Sequence, residues 1–227
     1  MVKLLGTASR RVAVGVLVCG ALASAMVASP GAQDEEAVDF ARPTRHFRVP
    51  NPAQLADVEA LSVYDRIRDD MVAAYRLSRN PIAPHYYKWK RYNRAPYRSA
   101  THGDRYVNNY ANAEAAPRYG RSEATPMPPG AVLAKDSFTV TAQGDVFTGP
   151  LFLMEKMPPG FSAATRDWRY TMIMPDGSLL GTTGGEGSER TAFCASCHAT
   201  AGAGRDHLFF VPDKFRLRFL GPLESDR

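Results

Sequence analysis

Val132-Leu133-Ala134-Lys135-Asp136-Ser137-Phe138-Thr139-Val140-Thr141 reads with a period of two, the pattern of a half-buried strand whose alternate side chains face opposite sides of a sheet. Two further apolar runs follow, Leu151 to Met157 and Trp168 to Met174. Gln143-Gly144-Asp145 and Pro158-Pro159-Gly160 join the three, and Pro175-Asp176-Gly177 ends the last. Connections this short, built of turn residues, suit antiparallel neighbours. The C-terminal half is therefore expected to be an antiparallel sheet.

Upstream, Asn51-Pro52 offers a helix cap with proline at the first helical position, and Asn80-Pro81 offers a stop. Between them Val58, Leu61, Tyr64, Ile67, Met71 and Tyr75 recur every three or four residues, which predicts an amphipathic helix. Pro84 to Tyr119 is dense in Tyr, Arg, Asn and His and predicts irregular structure with one or two short helices. Helix and sheet together give an α+β fold: a mainly antiparallel β-sheet domain with an N-terminal helical extension.

The first residues, Met1 to Ala32, run from Lys3, Arg10 and Arg11 through apolar stretches to small residues. That is the layout of a secretory signal peptide. Its apolar run is shorter than the roughly 20 residues a bilayer crossing needs. Cleavage after Ala25 or after Ala32 fits equally, and Gln33 to about Pro50 reads as a flexible leader. The expected organisation is a signal over 1–32, a leader and amphipathic helix over 33–83, and a C-terminal domain over 84–227. Removing the signal takes three basic residues and no acid from a formal charge of +5, leaving +2. A nearly neutral mature chain gives no case for nucleic acid as a partner, nor for a membrane once the signal is gone.

Downstream of the sheet, the glycine-rich loop Gly184-Gly185-Glu186-Gly187 lacks a phosphate-binding lysine or dinucleotide spacing. It leads into Cys194-Ala195-Ser196-Cys197-His198, a C-x-x-C-H pentapeptide of the kind that attaches haem c. Two thiols three residues apart can add across the two vinyl groups of one porphyrin, and the adjoining imidazole then falls under the iron. A redox dithiol would follow a strand in a βαβ unit, a pattern missing here. A zinc site needs four ligands, and beyond the motif only His207 is near. The expected cofactor is one covalent haem c per chain, held by Cys194 and Cys197 with His198 on the metal. Haem c is assembled on the exported side in bacteria, so motif and signal agree on a periplasmic location.

Position narrows the haem class. Small electron-transfer cytochromes carry the motif early and a methionine ligand well downstream; here 29 residues follow His198 and none is Met. Four-helix-bundle cytochromes carry it on a final helix, whereas this chain has strands before it and Phe209-Phe210-Val211-Pro212 soon after.

Four blocks in linked order resemble the cytochrome P-460 family, which also includes the gas-binding cytochromes c-prime beta. They are Pro129 to Asp136, Gly149 to Met157, Asp167 to Met172, and the motif followed by Asp206 to Phe210. The resemblance implies a mainly antiparallel β fold, a proximal histidine, a distal iron face open to a small nitrogen ligand such as hydroxylamine or nitric oxide, a redox partner protein and a homodimer. It further implies that Lys135, in the Gly130 to Asp136 context, matches a lysine bonded to the haem in the enzymes. Lys135 shares its strand face with Leu133, Ser137 and Thr139, where an ordinary exposed lysine is equally expected. By the same resemblance Glu189, five residues before Cys194, matches a carboxylate that relays protons; a glutamate in a glycine-rich loop is otherwise a solvated one. His46, His85, His102 and His207 are further candidates for a sixth iron ligand. The resulting expectation is hydroxylamine oxidation or related nitrogen-oxide chemistry, with a nitric oxide or carbon monoxide binder, or an electron-transfer cytochrome, as alternatives.

Overall fold

The computed structural model describes residues 48–123 and 125–217. The signal expected over 1–32, most of the leader and His46 lie outside the described residues. At its described end the leader is tied down, the Val49 N–H donating to the Gly103 carbonyl at 3.0 Å.

Helix α1 spans Asp57–Arg76, starting later than the Asn51-Pro52 signal suggests. Asn51 instead takes a left-handed φ of 43°, and Pro52 bridges to Thr141. The chain turns helical only where Glu59 can accept from the Ala56 N–H, at 2.7 Å, one half of a capping box. Acids Asp57 and Glu59 open the helix and Arg76 closes it, the order its dipole favours. Its buried stripe comprises Ala60, Val63, Tyr64, Met71, Val72 and Tyr75, while Val58 stands in solvent.

The expected α+β class holds, with one antiparallel sheet. Its strands are β1 (Lys90–Arg91), β2 (Tyr97–Ser99), β3 (Arg105–Ala111), β4 (Val132–Val140), β5 (Val146–Thr148), β6 (Leu151–Lys156), β7 (Trp168–Ile173) and β8 (Leu179–Thr182). The main path runs β1-β3-β4-β6-β7-β8, with β2 on β3 and β5 on β4. The three apolar runs became β4, β6 and β7. The segment expected to be irregular instead holds β1 to β3, together with the start of α2 (Ala116–Arg121). Asparagine is a poor strand residue, and Asn108 and Asn109 hid β3. Both are buried and satisfied by side chains: Asn108 Nδ2 donates to Asp136 at 3.0 Å, and Asn109 Nδ2 donates to the Tyr97 hydroxyl at 3.1 Å.

Strand alternation sorts the core into two layers. Tyr106, Tyr110, Phe138, Val140, Leu151 and Ile173 pack against α1. Val107, Leu133, Met154, Trp168 and Tyr170 face the other way, toward Leu208, Val211 and the Cys194 region. Lys135 and Asp136, adjacent on β4, therefore serve opposite faces. Asp136 is fully buried and accepts from Tyr64 at 2.7 Å, Tyr86 at 3.1 Å and Asn108.

Glycine fixes the approach to the C-terminal segment. A Cβ on Gly181 would sit 2.0 Å from the Gly187 carbonyl, a collision of backbone with backbone. That contact lets the β8 strand and the loop before Ala192 lie together. Helix α3 (Ala192–Ala199) follows.

Candidate haem site

The eight residues of α3 carry the whole C-x-x-C-H motif. Positions i, i+3 and i+4 lie on one face of a helix, and Cys194, Cys197 and His198 all line one cavity of about 420 Å³. That volume lies within the range of small-molecule and cofactor sites. Its other walls come from Leu133 and Lys135 of β4, Phe152 and Met154 of β6, Tyr170 of β7, residues 97–102, and the segment from Phe209 to Phe215. None of the lining residues is an aspartate or glutamate, whereas Arg98, His102, Lys135 and Lys214 all contribute to the wall.

His198 is held in one tautomer. Its Nδ1 lies 3.0 Å from the His207 carbonyl, and a carbonyl can only accept, so Nδ1 carries the proton. Nε2 is left as the lone-pair nitrogen, the tautomer that backbone-held ligating histidines adopt. Burial, then the positive charge of Lys135, pushes the imidazole pKa down to about 4. The ring is neutral at pH 7, as coordination requires. Tyr170 and Phe209 flank it at 5.3 and 5.6 Å between ring centroids.

The thiols do not look like a redox dithiol. Burial, then the neighbouring Cys197, pushes the Cys194 thiol up to about 12, the reverse of the lowered pKa that activates a C-x-x-C pair. Nor do three His, Cys, Asp or Glu side chains converge as a metal-binding group among the described residues.

Lys135 does not point into solvent. It is half-buried in the cavity wall, where burial pushes its pKa down to about 8, against the opposing charge of Cys197. Its Nζ lies 3.2 Å from His102 Nε2. His102 is buried, its Nδ1 is 2.9 Å from the Ser99 hydroxyl, and its ring meets Phe152 edge-on at 5.1 Å. Sequence offered no reason to choose His102 over the other histidines. It sits on a short turn after β2, and only the β2–β3–β4 pairing brings that turn over Lys135. His85 is exposed and outside the cavity wall.

Glu189 goes elsewhere. Its side chain is 66% exposed and pairs with Arg190 at 3.6 Å, and it does not line the cavity. The turn at Ser188–Thr191 precedes α3 and faces the carboxylate outward. Structure thus unites Lys135, Cys194, Cys197 and His198 and leaves Glu189 apart.

Does this cavity suit a haem? Two thiols and an imidazole lone pair face one largely apolar chamber. Moreover, the Tyr170 hydroxyl in its wall is buried with no hydrogen-bond partner, a cost that a polar group in the chamber would relieve. The residues fit. Comparison with known proteins points the same way: the family model described as Cytochrome P460 matches residues 84–210. No curated protein matches the chain.

Proposed function

The chain belongs to the cytochrome P460 family and is a haem cytochrome, and we propose that it binds haem c covalently at an open iron and oxidises hydroxylamine or a related small nitrogen compound. The observation that carries this reading is the shared cavity of His198, Cys194, Cys197 and Lys135. Haem c, once bound, supplies an iron that takes a small nitrogen ligand and passes electrons on through the porphyrin. Cys194 and Cys197 anchor the porphyrin through its vinyl groups. His198 holds the iron through Nε2, its ring fixed by the His207 carbonyl.

Lys135 is the amine proposed to bond to a meso carbon of the macrocycle, one N–H and one C–H bond giving way to the new C–N bond while two electrons and two protons pass to a peroxide-class oxidant, which leaves as water. A lysine must lose its proton before the nitrogen can act as a nucleophile, and two features of the site favour that loss. Burial lowers its pKa, and His102 Nε2 lies within reach as an acceptor. General acid–base work needs a titratable group in the chamber with the substrate; His102 meets that condition and the exposed Glu189 does not. Leu133, Phe152 and Met154 keep the surrounding wall apolar.

Export to the periplasm, electron transfer to a partner protein and a homodimer belong to the same proposal. They are supported by the basic-then-apolar first 32 residues and by the family resemblance. A nitric oxide or carbon monoxide binder without turnover is the second reading, favoured by a chamber whose lining residues include no carboxylate to relay protons. The purified holoprotein separates the two. For the enzyme, the expected result is a ferrous Soret band shifted far to the red, a haem-linked tryptic peptide containing Lys135, and hydroxylamine-dependent reduction of an acceptor dye. An ordinary high-spin spectrum that responds to nitric oxide, with no dye reduction, supports the binder. A low-spin six-coordinate spectrum contradicts both.

A further inference from the structure

The buried cluster behind His198 is unused by the chemistry above. Lys156, the last residue of β6, is 9% exposed, and Asp206 is fully buried. Lys156 Nζ donates to Asp206 Oδ1 at 2.7 Å and Oδ2 at 2.9 Å and to the Arg166 carbonyl at 2.7 Å, and it lies over the Trp168 ring, 5.0 Å from the centroid. Asp206 also accepts from the Met127 N–H at 2.9 Å and from Arg166 Nε at 3.4 Å. Its own carbonyl accepts from the Trp168 indole at 2.8 Å.

Backbone geometry shows what the cluster holds. Asp206 and His207 both occupy the left-handed region, at φ 52° and 57°, which residues with a side chain avoid unless their surroundings over-determine them. Arg166 and Asp167, on the other side of Lys156, do the same at 54° and 63°. One buried ammonium thus ties two left-handed pairs together, one before β7 and one after α3. The product of the second pair is the direction of the His207 carbonyl, which accepts the hydrogen bond from His198 Nδ1–H at 3.0 Å.

We propose that the Lys156–Asp206 ion pair is a positioning device for His198, holding the His207 carbonyl so that it strengthens the imidazole as an iron ligand. Donation from Nδ1 raises the basicity of the other ring nitrogen and fixes the plane of the ring. A more basic ligand favours the ferric iron, so the ion pair acts on the reduction potential from behind the ligand. This rests on His198 being the iron ligand. A conserving role for stability alone would leave the potential unmoved once the protein is folded and loaded.

The test is the Lys156→Met/Asp206→Asn double variant, chosen because removing one partner alone leaves a buried unpaired charge, whereas removing both does not. With haem content equal to the wild type, its reduction potential is expected to rise, and the ferrous iron–imidazole stretching frequency in resonance Raman to fall. A loaded double variant with both values unchanged overturns the proposal. Should the variant not accumulate, the wild type decides: the His198 Nδ1 proton is expected to exchange slowly with solvent, and rapid exchange overturns the proposal. Failure of the underlying reading looks different, because a His198→Ala variant with an unaltered iron spectrum removes His198 as ligand altogether.

Discussion

Each side chain in the cavity takes its chemistry from the groups that surround it. Lys135 and Asp136 are neighbours in sequence, yet strand alternation sends one into the cavity wall and the other under α1. Burial pushes the lysine toward its neutral form and the carboxyl toward its protonated form, the behaviour expected when either charge leaves water. His102 shows the limits of reading residues singly: nothing in its local sequence separates it from His85, and its place over Lys135 exists only because β2, β3 and β4 pair. The family resemblance singled out Glu189 by its place five residues before Cys194, but spacing along the chain does not fix which way a short turn faces. These placements make opposite expectations for two variants. In the holoprotein, Glu189→Gln should leave hydroxylamine-dependent dye reduction within about twofold of wild type, while His102→Leu should lower it on the order of 100-fold, the usual weight of a general acid–base group. Steady-state rates at pH 7 check both, and the reverse order restores the proton role to Glu189.

Among the elements, β4, β6 and β7 were legible because their apolar runs and turn residues are strong local signals, and α1 because its period is helical over several turns. Strand β3 was not. Its sequence Arg105-Tyr106-Val107-Asn108-Asn109-Tyr110-Ala111 makes sense only beside Asp136, Tyr97 and the buried Asn93, whose Nδ2 donates to Asn108 Oδ1 at 2.9 Å and whose Oδ1 accepts from the Asn109 N–H at 2.8 Å, partners supplied by other segments. The same polar seam gives α1 a pH-dependent attachment to the sheet. Asp136 has a folded-state pKa raised to about 6, chiefly by burial and despite hydrogen bonds from Tyr64, Asn108 and Tyr86; the unfolded carboxyl titrates near 4. Between roughly pH 4 and 6 the folded state therefore binds more protons than the unfolded one, and by linkage this site loses stability as pH rises through that window. Asp136→Asn removes the titration. Denaturant melts of wild type and variant are expected to show a stability difference that moves in the variant's favour between pH 4 and 6 and is level above it; a difference independent of pH contradicts the assignment.

For the molecule as a whole, one sheet carries two separate tasks. The α1 face is sealed by a tyrosine-rich core, and the other face is completed by the C-terminal segment that brings α3, Asp206 and the Phe209–Phe215 stretch over β4, β6 and β7. Much of this was legible beforehand: the antiparallel sheet from turn spacing, the cofactor class from Cys194 to His198, and the family from four blocks in order. What escaped were the long-range pairings, Lys156 with Asp206 and His102 with Lys135, since neither partner carries a local sign of the other. The covalent haem reading is tested by acid–organic extraction of the denatured holoprotein followed by tryptic mass analysis. The haem is expected to stay with the peptide bearing Cys194 to His198, and to be lost in Cys194→Ala/Cys197→Ala; haem that passes into the organic phase from the wild type contradicts it.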